Sequence, residues 1–126
     1  MSWALLDKDV VLAVHDQQIA EHGGLSGLRD LGLLESAMAR PMQLAAYGEP
    51  DACDLAAAYA WGIARNHPFL DGNKRTAYVC CMLFLRVNGL SLRVKGVESV
   101  VVFERLGHGE VDQDVLAQWL RDRLGP

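Results

Sequence analysis

Nine consecutive residues, HPFLDGNKR at positions 67–75, carry more reactive side chains than a turn between two helices requires. Histidine is the residue type that most readily exchanges a proton near neutral pH, so His67 can act as a general base or acid. Asp71 supplies a carboxylate four residues later, and Mg²⁺ is usually held by one or two carboxylates together with substrate phosphates. The segment therefore contains a candidate proton acceptor and a candidate metal ligand.

The second half of this segment is suited to binding an anion. Gly72 lets a ligand approach the backbone closely, and Asn73 can donate, accept or cap a helix. Lys74 and Arg75 are expected in the first turn of a helix, where positive charge opposes the macrodipole. A bound polyphosphate reverses that disadvantage, and an arginine can contact two of its oxygens at once. A base, a metal ligand and an anion cradle are the parts that phosphoryl transfer needs.

Each of these side chains also has an ordinary structural interpretation. His67 can bond a turn, while Asp71 or Asn73 can cap the helix that follows. Pro68 is expected to restrict His67 to an extended conformation, and Phe69 to point into the core and anchor the loop. The nucleotide motifs GxxxxGK[ST] and strand-linked GxGxxG are absent. The other three histidines lack zinc-ligand spacing, which argues against a zinc site.

Capping residues and 3.6-residue periodicity predict six helices. Alternation with period two is scarce, and only SLRV (91–94) is expected to form a short extended piece. The class is therefore all-α. The predicted helices run from Asp7 or Asp9 to about His22, from Asp30 to Pro41, from Asp51 or Asp54 onward, from Asn73 to Asn88, from Val97 to Leu106, and from the cap Asp112 onward.

The fourth predicted helix is apolar on nearly every side between Ala77 and Leu85, which is typical of a helix at the centre of a bundle. The segment 67–75 leads into its N-terminus, where unpaired N–H groups and partial positive charge favour anions. A buried helix in this place would hold a catalytic site rigidly. The sequence thus predicts about six helices, with a central buried helix after the HPFLDGNKR loop.

The composition narrows the functional class. The chain has 126 residues, of which 51% are hydrophobic and 22% charged, and this predicts one folded domain over residues 1–126. A net charge of −4 argues against nucleic acid as a partner. No apolar run is long enough to span a bilayer and no signal peptide is evident, so a cytoplasmic location is expected. Cys53, Cys80 and Cys81 lack disulfide spacing and are expected in the core.

HPFLDGNKR resembles the signature HPFx[DE]GN[GK]R of the Fic/Doc superfamily and matches it at every fixed position. Residues 15–40, HDQQIAEHGGLSGLRDLGLLESAMAR, resemble the opening helices of the death-on-curing (Doc) branch. FLRVNGL (84–90) and GHGEVDQDVLAQWL (107–120) resemble the last part of that branch. The resemblance covers nearly the whole chain and implies the helical Fic fold.

The resemblance also implies a role for each polar residue of the segment. His67 would take the proton from a hydroxyl group of a target protein, and the oxygen would then attack ATP. Asp71 would hold Mg²⁺ on the phosphates. The phosphates themselves would be bound by four consecutive residues, Gly72, Asn73, Lys74 and Arg75.

Lys74 stands at the position that divides the family. AMP-transferring Fic proteins usually have glycine there, whereas Doc-like members have lysine and are linked to transfer of the γ-phosphate to elongation factor Tu, which halts translation. The resemblance therefore implies a toxin kinase of a toxin–antitoxin pair, with ATP and Mg²⁺ as its cofactors. Two alternatives stay open: an AMP-transferase with the same base and metal ligand, and a catalytically silent module that binds a partner protein.

The resemblance also implies how the protein is inhibited and where it binds its target. No Ser or Thr begins the inhibitory motif [ST]xxxE[GN] of Fic proteins, so a separate antitoxin is expected to silence the protein through a helical segment in an apolar groove. Residues 41–51 lie where Fic proteins place the flap that aligns target peptides, and a plain connector is an equal alternative. Arg65 either contacts a target or antitoxin or is a solvated charge at a helix end.

Overall fold

The computed structural model describes residues 2–125, which form six helices and two short strands. The all-α class and the number of helices agree with the prediction. The strands β1 (Ser91–Leu92) and β2 (Leu124–Gly125) pair antiparallel and tie the turn after the fourth helix to the segment after the sixth. The helices are α1 (Lys8–His22), α2 (Leu31–Tyr47), α3 (Ala52–Asn66), α4 (Asn73–Val87), α5 (Gly96–Gly107) and α6 (Gln113–Arg121).

Aspartates fix the beginning of four helices. Each carboxylate accepts a hydrogen bond from the N–H group three residues further along the chain, which satisfies a donor that has no partner inside the helix. The negative charge also complements the positive end of the macrodipole. The start of α4 differs, because it follows Gly72 and has no side-chain cap. The capping residues of α1, α2, α3 and α6 are Asp7, Asp30, Asp51 and Asp112.

The predicted end of the second helix at Pro41 is wrong. α2 continues through this proline to Tyr47, so the first part of the segment 41–51, predicted to be a flap or a connector, is helical. Pro41 supplies no N–H group to the carbonyl of Ala37 and would usually end the helix. Pro41 is itself buried, as is Ala37 one turn earlier, so packing of this face against the core outweighs the lost backbone bond.

Helix α3 lies at the centre of the core. Eleven of its fifteen residues are buried, and α2, α4, α5 and α6 all pack against it. Its many alanines let neighbouring helices approach from several sides. α4 packs against α1, α3 and α5 and is the buried helix predicted after the loop, although α3 is enclosed more completely. The three cysteines are buried and unpaired, as predicted, and burial raises the pKa of Cys53 to about 11.

Gly62 lies where α3 crosses α2. A Cβ atom at this position would lie 3.2 Å from the Cα, Cβ and carbonyl oxygen of Ala37, and the backbone atoms among these can move only with the helix. We therefore expect Gly62→Ala to lower the free energy of unfolding by about 1–2 kcal/mol, although alanine normally stabilises a helix interior. Chemical denaturation measures this change.

The matched control for this prediction is Gly96→Ala in α5, where an added Cβ meets no atom within 4 Å. We expect the control to be neutral or slightly stabilising. A Gly62→Ala variant as stable as the parent chain would contradict the close packing of α2 and α3.

Candidate active site

The loop between α3 and α4 is bound to the segment that precedes α2. The backbone N–H of Arg29 donates to the Pro68 carbonyl over 2.7 Å, and the N–H of Leu70 donates to the Gly27 carbonyl over 3.1 Å. These bonds form an antiparallel bridge between Leu28 and Phe69. The loop therefore has a fixed backbone course before any ligand binds.

Phe69 anchors the loop in the core, as predicted. Its side chain is 1% exposed and stacks on the imidazole of His15, with ring centroids 3.7 Å apart and planes 5° from parallel. The Nε2–H group of His15 donates to the backbone carbonyl of Asp71 over 2.8 Å. A histidine on the buried face of α1 thus holds both the hydrophobic and the polar part of the loop.

His67 ends α3 in a left-handed conformation, with φ 49° and ψ 57°. The expectation that Pro68 keeps His67 extended is therefore wrong. The reason is the helix end: the N–H of His67 still donates to the Ile63 carbonyl, over 3.2 Å, and the chain must then turn sharply into the loop. Such a conformation costs a non-glycine residue about 1–3 kcal/mol and needs support from its surroundings. The imidazole is exposed.

Asn73 closes the loop from the inside. Its side-chain oxygen accepts from the N–H of Phe69 and its side-chain nitrogen donates to the Phe69 carbonyl, both over 3.0 Å. The same nitrogen lies 3.4 Å from Nδ1 of His67. The Asn73 side chain is committed to the loop, and only its backbone N–H remains for an anion.

The carboxylate of Asp71 is exposed and held by backbone donors. One oxygen accepts from the N–H of Gly72 over 2.9 Å, and the other accepts from the N–H of Leu25 over 3.2 Å. Among residues 2–125, no group of three or more His, Cys, Asp or Glu side chains is arranged to hold a metal ion. One exposed carboxylate nevertheless fits Mg²⁺ that arrives with a nucleotide, because this ion keeps water and phosphate ligands.

The N-terminus of α4 lies open beside these groups. Gly72 precedes the helix with φ 74°, a left-handed conformation that glycine adopts without strain. A Cβ atom here would lie 3.2 Å from Cδ1 of Ile19 and 3.7 Å from Nε2 of His15, so a larger residue would also crowd the loop. Since no side chain caps the helix, its first N–H groups are available to an anion.

The two basic residues of the first turn of α4 have partners within the chain. The ammonium group of Lys74 forms an ion pair with Glu104 of α5, and both side chains are about half exposed. The hydrogen bond and charge of Lys74 hold the pKa of Glu104 below its ordinary value. Arg75 donates through Nη2 to the Gly23 carbonyl over 3.2 Å. Both contacts are partly open to solvent, so an anion can compete for either cation.

A groove of about 570 Å³ runs along α1, α4 and α5 from this basic turn. Tyr78, Val79 and Phe103 supply apolar walls, and Lys74 and Arg75 line the same groove. Tyr78 and Phe103 meet edge to face, with ring centroids 5.1 Å apart. The groove is therefore apolar for most of its length, and it meets the loop at Arg75 and at the ion pair of Lys74 with Glu104.

The structure brings the predicted site residues together on the loop and the first turn of α4, but three neighbours were not identified from the sequence: His15, Arg29 and Glu104. Of these, only His15 left a signal, as a histidine at helical spacing from Val11 and Val14. Residues 41–47 are helical, and the residue that pairs with the loop in an antiparallel bridge is Leu28. Arg65 is exposed and lies against Gly109. No helix within residues 2–125 is long and apolar enough to cross a membrane.

Comparison with known proteins identifies the family of the chain. The model of the Fic/DOC family matches residues 5–85. The chain is 39% identical to the protein kinase doc of Escherichia phage P1 over 121 residues, which cover 95% of each chain. It is 48% identical to the toxin Doc of Mycolicibacterium smegmatis over 73 residues, which cover 56% of this chain and 55% of that protein. The chain belongs to the Fic/DOC family, and to its Doc branch.

Proposed function

We propose that this protein is a Doc-type toxin that transfers the γ-phosphate of ATP to a hydroxyl group of a target protein. The observation that carries the proposal is the uncapped N-terminus of α4, placed directly after an exposed histidine and an exposed carboxylate. The phage relative, named protein kinase doc, aligns with nearly the full chain and supports the same reaction. A kinase and an AMP-transferase of this family differ mainly in which phosphate of ATP is attacked.

His67 acts as the general base in this proposal. As the target oxygen attacks the γ-phosphorus, the hydroxyl proton passes to the imidazole nitrogen that lacks one. A new oxygen–phosphorus bond forms, the bond between the γ-phosphorus and the bridging oxygen breaks, and ADP leaves. Asp71 would hold Mg²⁺, which neutralises charge on the phosphates. Because His67 is exposed, a hydroxyl group on another protein can reach it.

The phosphates are bound by the first turn of α4. The backbone N–H groups that follow Gly72 donate to phosphate oxygens, as at other helix N-termini. Lys74 exchanges Glu104 for a phosphate, and Arg75 exchanges the Gly23 carbonyl for one or two phosphate oxygens. The positive charge that opposes the macrodipole in the free protein then faces the charge of the nucleotide.

The partners in this proposal are an antitoxin and a translation factor. The antitoxin segment would lie as an amphipathic helix in the groove of α1, α4 and α5, with its apolar side on Tyr78, Val79 and Phe103. Because Lys74 and Arg75 line the same groove, such a segment would cover the phosphate site. Elongation factor Tu is the proposed target and the cytoplasm the proposed location, both from the resemblance to the Doc branch.

An AMP-transferase is the second candidate, since His67 and Asp71 would serve that reaction equally well. The side chain of Lys74 favours the kinase, because it occupies the position where AMP-transferring relatives have glycine. A third candidate is a silent module that only binds a partner protein. The three candidates differ in what they transfer, which makes them separable by one labelling experiment.

The labelling experiment uses a translation extract with ATP labelled at either the α- or the γ-phosphate. We expect label on a protein from γ-labelled ATP only, and loss of transfer by at least about 100-fold in His67→Ala. His108→Ala is the control, because His108 is an exposed histidine at the end of another helix. Label from the α-phosphate would indicate AMP transfer. No transfer, with growth arrest unchanged in His67→Ala, would indicate a binding module.

Asp71→Asn tests the metal ligand. The amide keeps the size of the side chain and one of its two backbone hydrogen bonds, and it removes the charge that attracts Mg²⁺. We expect the Mg²⁺ concentration for half-maximal transfer to rise by about 10-fold or more, which a magnesium titration of the transfer rate measures. Asp9→Asn, an exposed aspartate in the first turn of α1, is the control. An unchanged titration would remove Asp71 from the metal site.

Lys74→Gly and Glu104→Gln test the phosphate contact from both sides. We expect Lys74→Gly to weaken γ-phosphate transfer. We expect Glu104→Gln to lower the KM for ATP by about 2–5-fold, because Lys74 is then free of an exposed ion pair. Steady-state kinetics measure both. The control is Glu98→Gln, which changes another glutamate of α5 and breaks its ion pair with Arg123. Unaltered transfer in Lys74→Gly would exclude a role for Lys74.

A further inference from the structure

The C-terminal end of α3 is closed by a side chain from outside the catalytic loop. Arg29 donates through Nη2 to the carbonyl of Asn66 over 2.8 Å and through Nε to the carbonyl of His67 over 2.7 Å. The last carbonyls of a helix have no partner inside it, and a cation is favourable at this end of the macrodipole. The planar guanidinium meets both needs with two parallel donors, an arrangement that a lysine cannot reproduce.

These bonds are made at the point of greatest backbone strain. Within residues 2–125, His67 is the one non-glycine residue with a positive φ, and Pro68 follows it directly. The other polar contacts of His67 are longer. Its N–H nitrogen lies 3.2 Å from the Ile63 carbonyl oxygen, and the Asn73 amide nitrogen lies 3.4 Å from its Nδ1. The charge-assisted bond from Arg29 is thus the shortest hydrogen bond to His67, and it holds the peptide group that orients the imidazole.

The backbone of Arg29 is itself held in place by hydrogen bonds. Its backbone N–H donates to the Pro68 carbonyl over 2.7 Å, and the N–H of Asp30 donates to the same oxygen over 3.1 Å. Asp30 in turn caps α2 by accepting from the N–H of Leu33 over 3.1 Å. The start of α2 therefore fixes the backbone of Arg29, and Arg29 fixes the end of α3.

We propose that Arg29 is a positioning residue for His67: it holds the left-handed peptide at the end of α3 and so directs the imidazole toward the hydroxyl that reacts. This inference rests on the proposed function, because it requires His67 to accept the proton. The guanidinium faces backbone carbonyls, so Arg29 acts through His67 and not on the nucleotide. Its removal should change the chemical step and leave ATP binding in place.

The experiment measures phosphate transfer in Arg29→Ala and Arg29→Lys. We expect kcat to fall by about 10–100-fold in the alanine variant with the KM for ATP changed by less than about 3-fold, since misplacing a catalytic group by a fraction of an ångström has effects of this size. Arg29→Lys, which can replace one of the two bonds, should lie between the parent and alanine. A kcat within about 2-fold of the parent in Arg29→Ala would overturn the proposal.

Two comparisons separate positioning from general loss of stability. Arg123→Ala is the matched control, because Arg123 also donates to a carbonyl near a helix end, that of Trp119 in α6, over 3.1 Å. We expect it to retain full kcat. In a His67→Ala background, replacing Arg29 should have no further effect on the residual rate, because residues that act through one another are not additive. An equal loss in both backgrounds would contradict the proposal.

A measurement that needs no activity separates this inference from the proposed function. Nitrogen NMR of the His67 ring reports its tautomer and surroundings in the unliganded protein. We expect these signals to shift in Arg29→Ala and to stay in place in Arg123→Ala. Unshifted His67 signals in Arg29→Ala would refute the positioning role even if the parent transferred no phosphate. A parent that transfers no phosphate, with the expected shift, would refute the proposed function alone.

Discussion

The stacked pair of His15 and Phe69 is the contact on which the site depends. Burying Phe69 places the middle of the loop in the core, and the bond from His15 to the Asp71 carbonyl fixes the part of the loop that leads into α4. The stack joins α1 to the loop, so the loop cannot move away without exposing an aromatic ring. A fold that places a turn this firmly can present polar groups from it without losing their geometry.

The polar groups of the site divide into those that hold the loop and those that remain exchangeable. Asn73 and Arg29 use their side chains on backbone groups and so help to hold the course of the loop. Lys74 and Arg75 rest on partners that solvent can reach, which an incoming phosphate can replace. This division suits the proposed function, in which a rigid base and metal ligand lie beside cations that can bind a substrate.

Much of the fold could be predicted because it follows from local rules. The aspartate caps and the spacing of apolar residues act within a few residues of one another. The start of α4 was not predicted in this way, because neither Asp71 nor Asn73 caps it and Gly72 precedes it. The predicted end of α2 at Pro41 was wrong because packing between α2 and the core outweighs the hydrogen bond that the proline cannot make. The candidate residues of the loop could be named from their chemistry and from the resemblance to the Fic/Doc superfamily.

Arg29 and Glu104 could not be found in this way. Arg29 precedes the loop by more than 30 residues, and Glu104 follows it by a similar distance, so each contact depends on how helices meet in space. The left-handed backbone of His67 was also missed, since the rule for residues before proline describes an isolated chain. Here the end of α3 and the Arg29 guanidinium impose a conformation that the dipeptide would avoid.

The most direct test of the proposed kinase is the intact mass of elongation factor Tu after incubation with the protein, ATP and Mg²⁺. The reaction with His67→Ala provides the reference mass. We predict a gain equal to one phosphoryl group, carried by a serine, threonine or tyrosine and absent from the reference. A gain equal to one AMP would contradict the account. An unchanged mass of elongation factor Tu would also contradict it, if the same parent protein arrests translation.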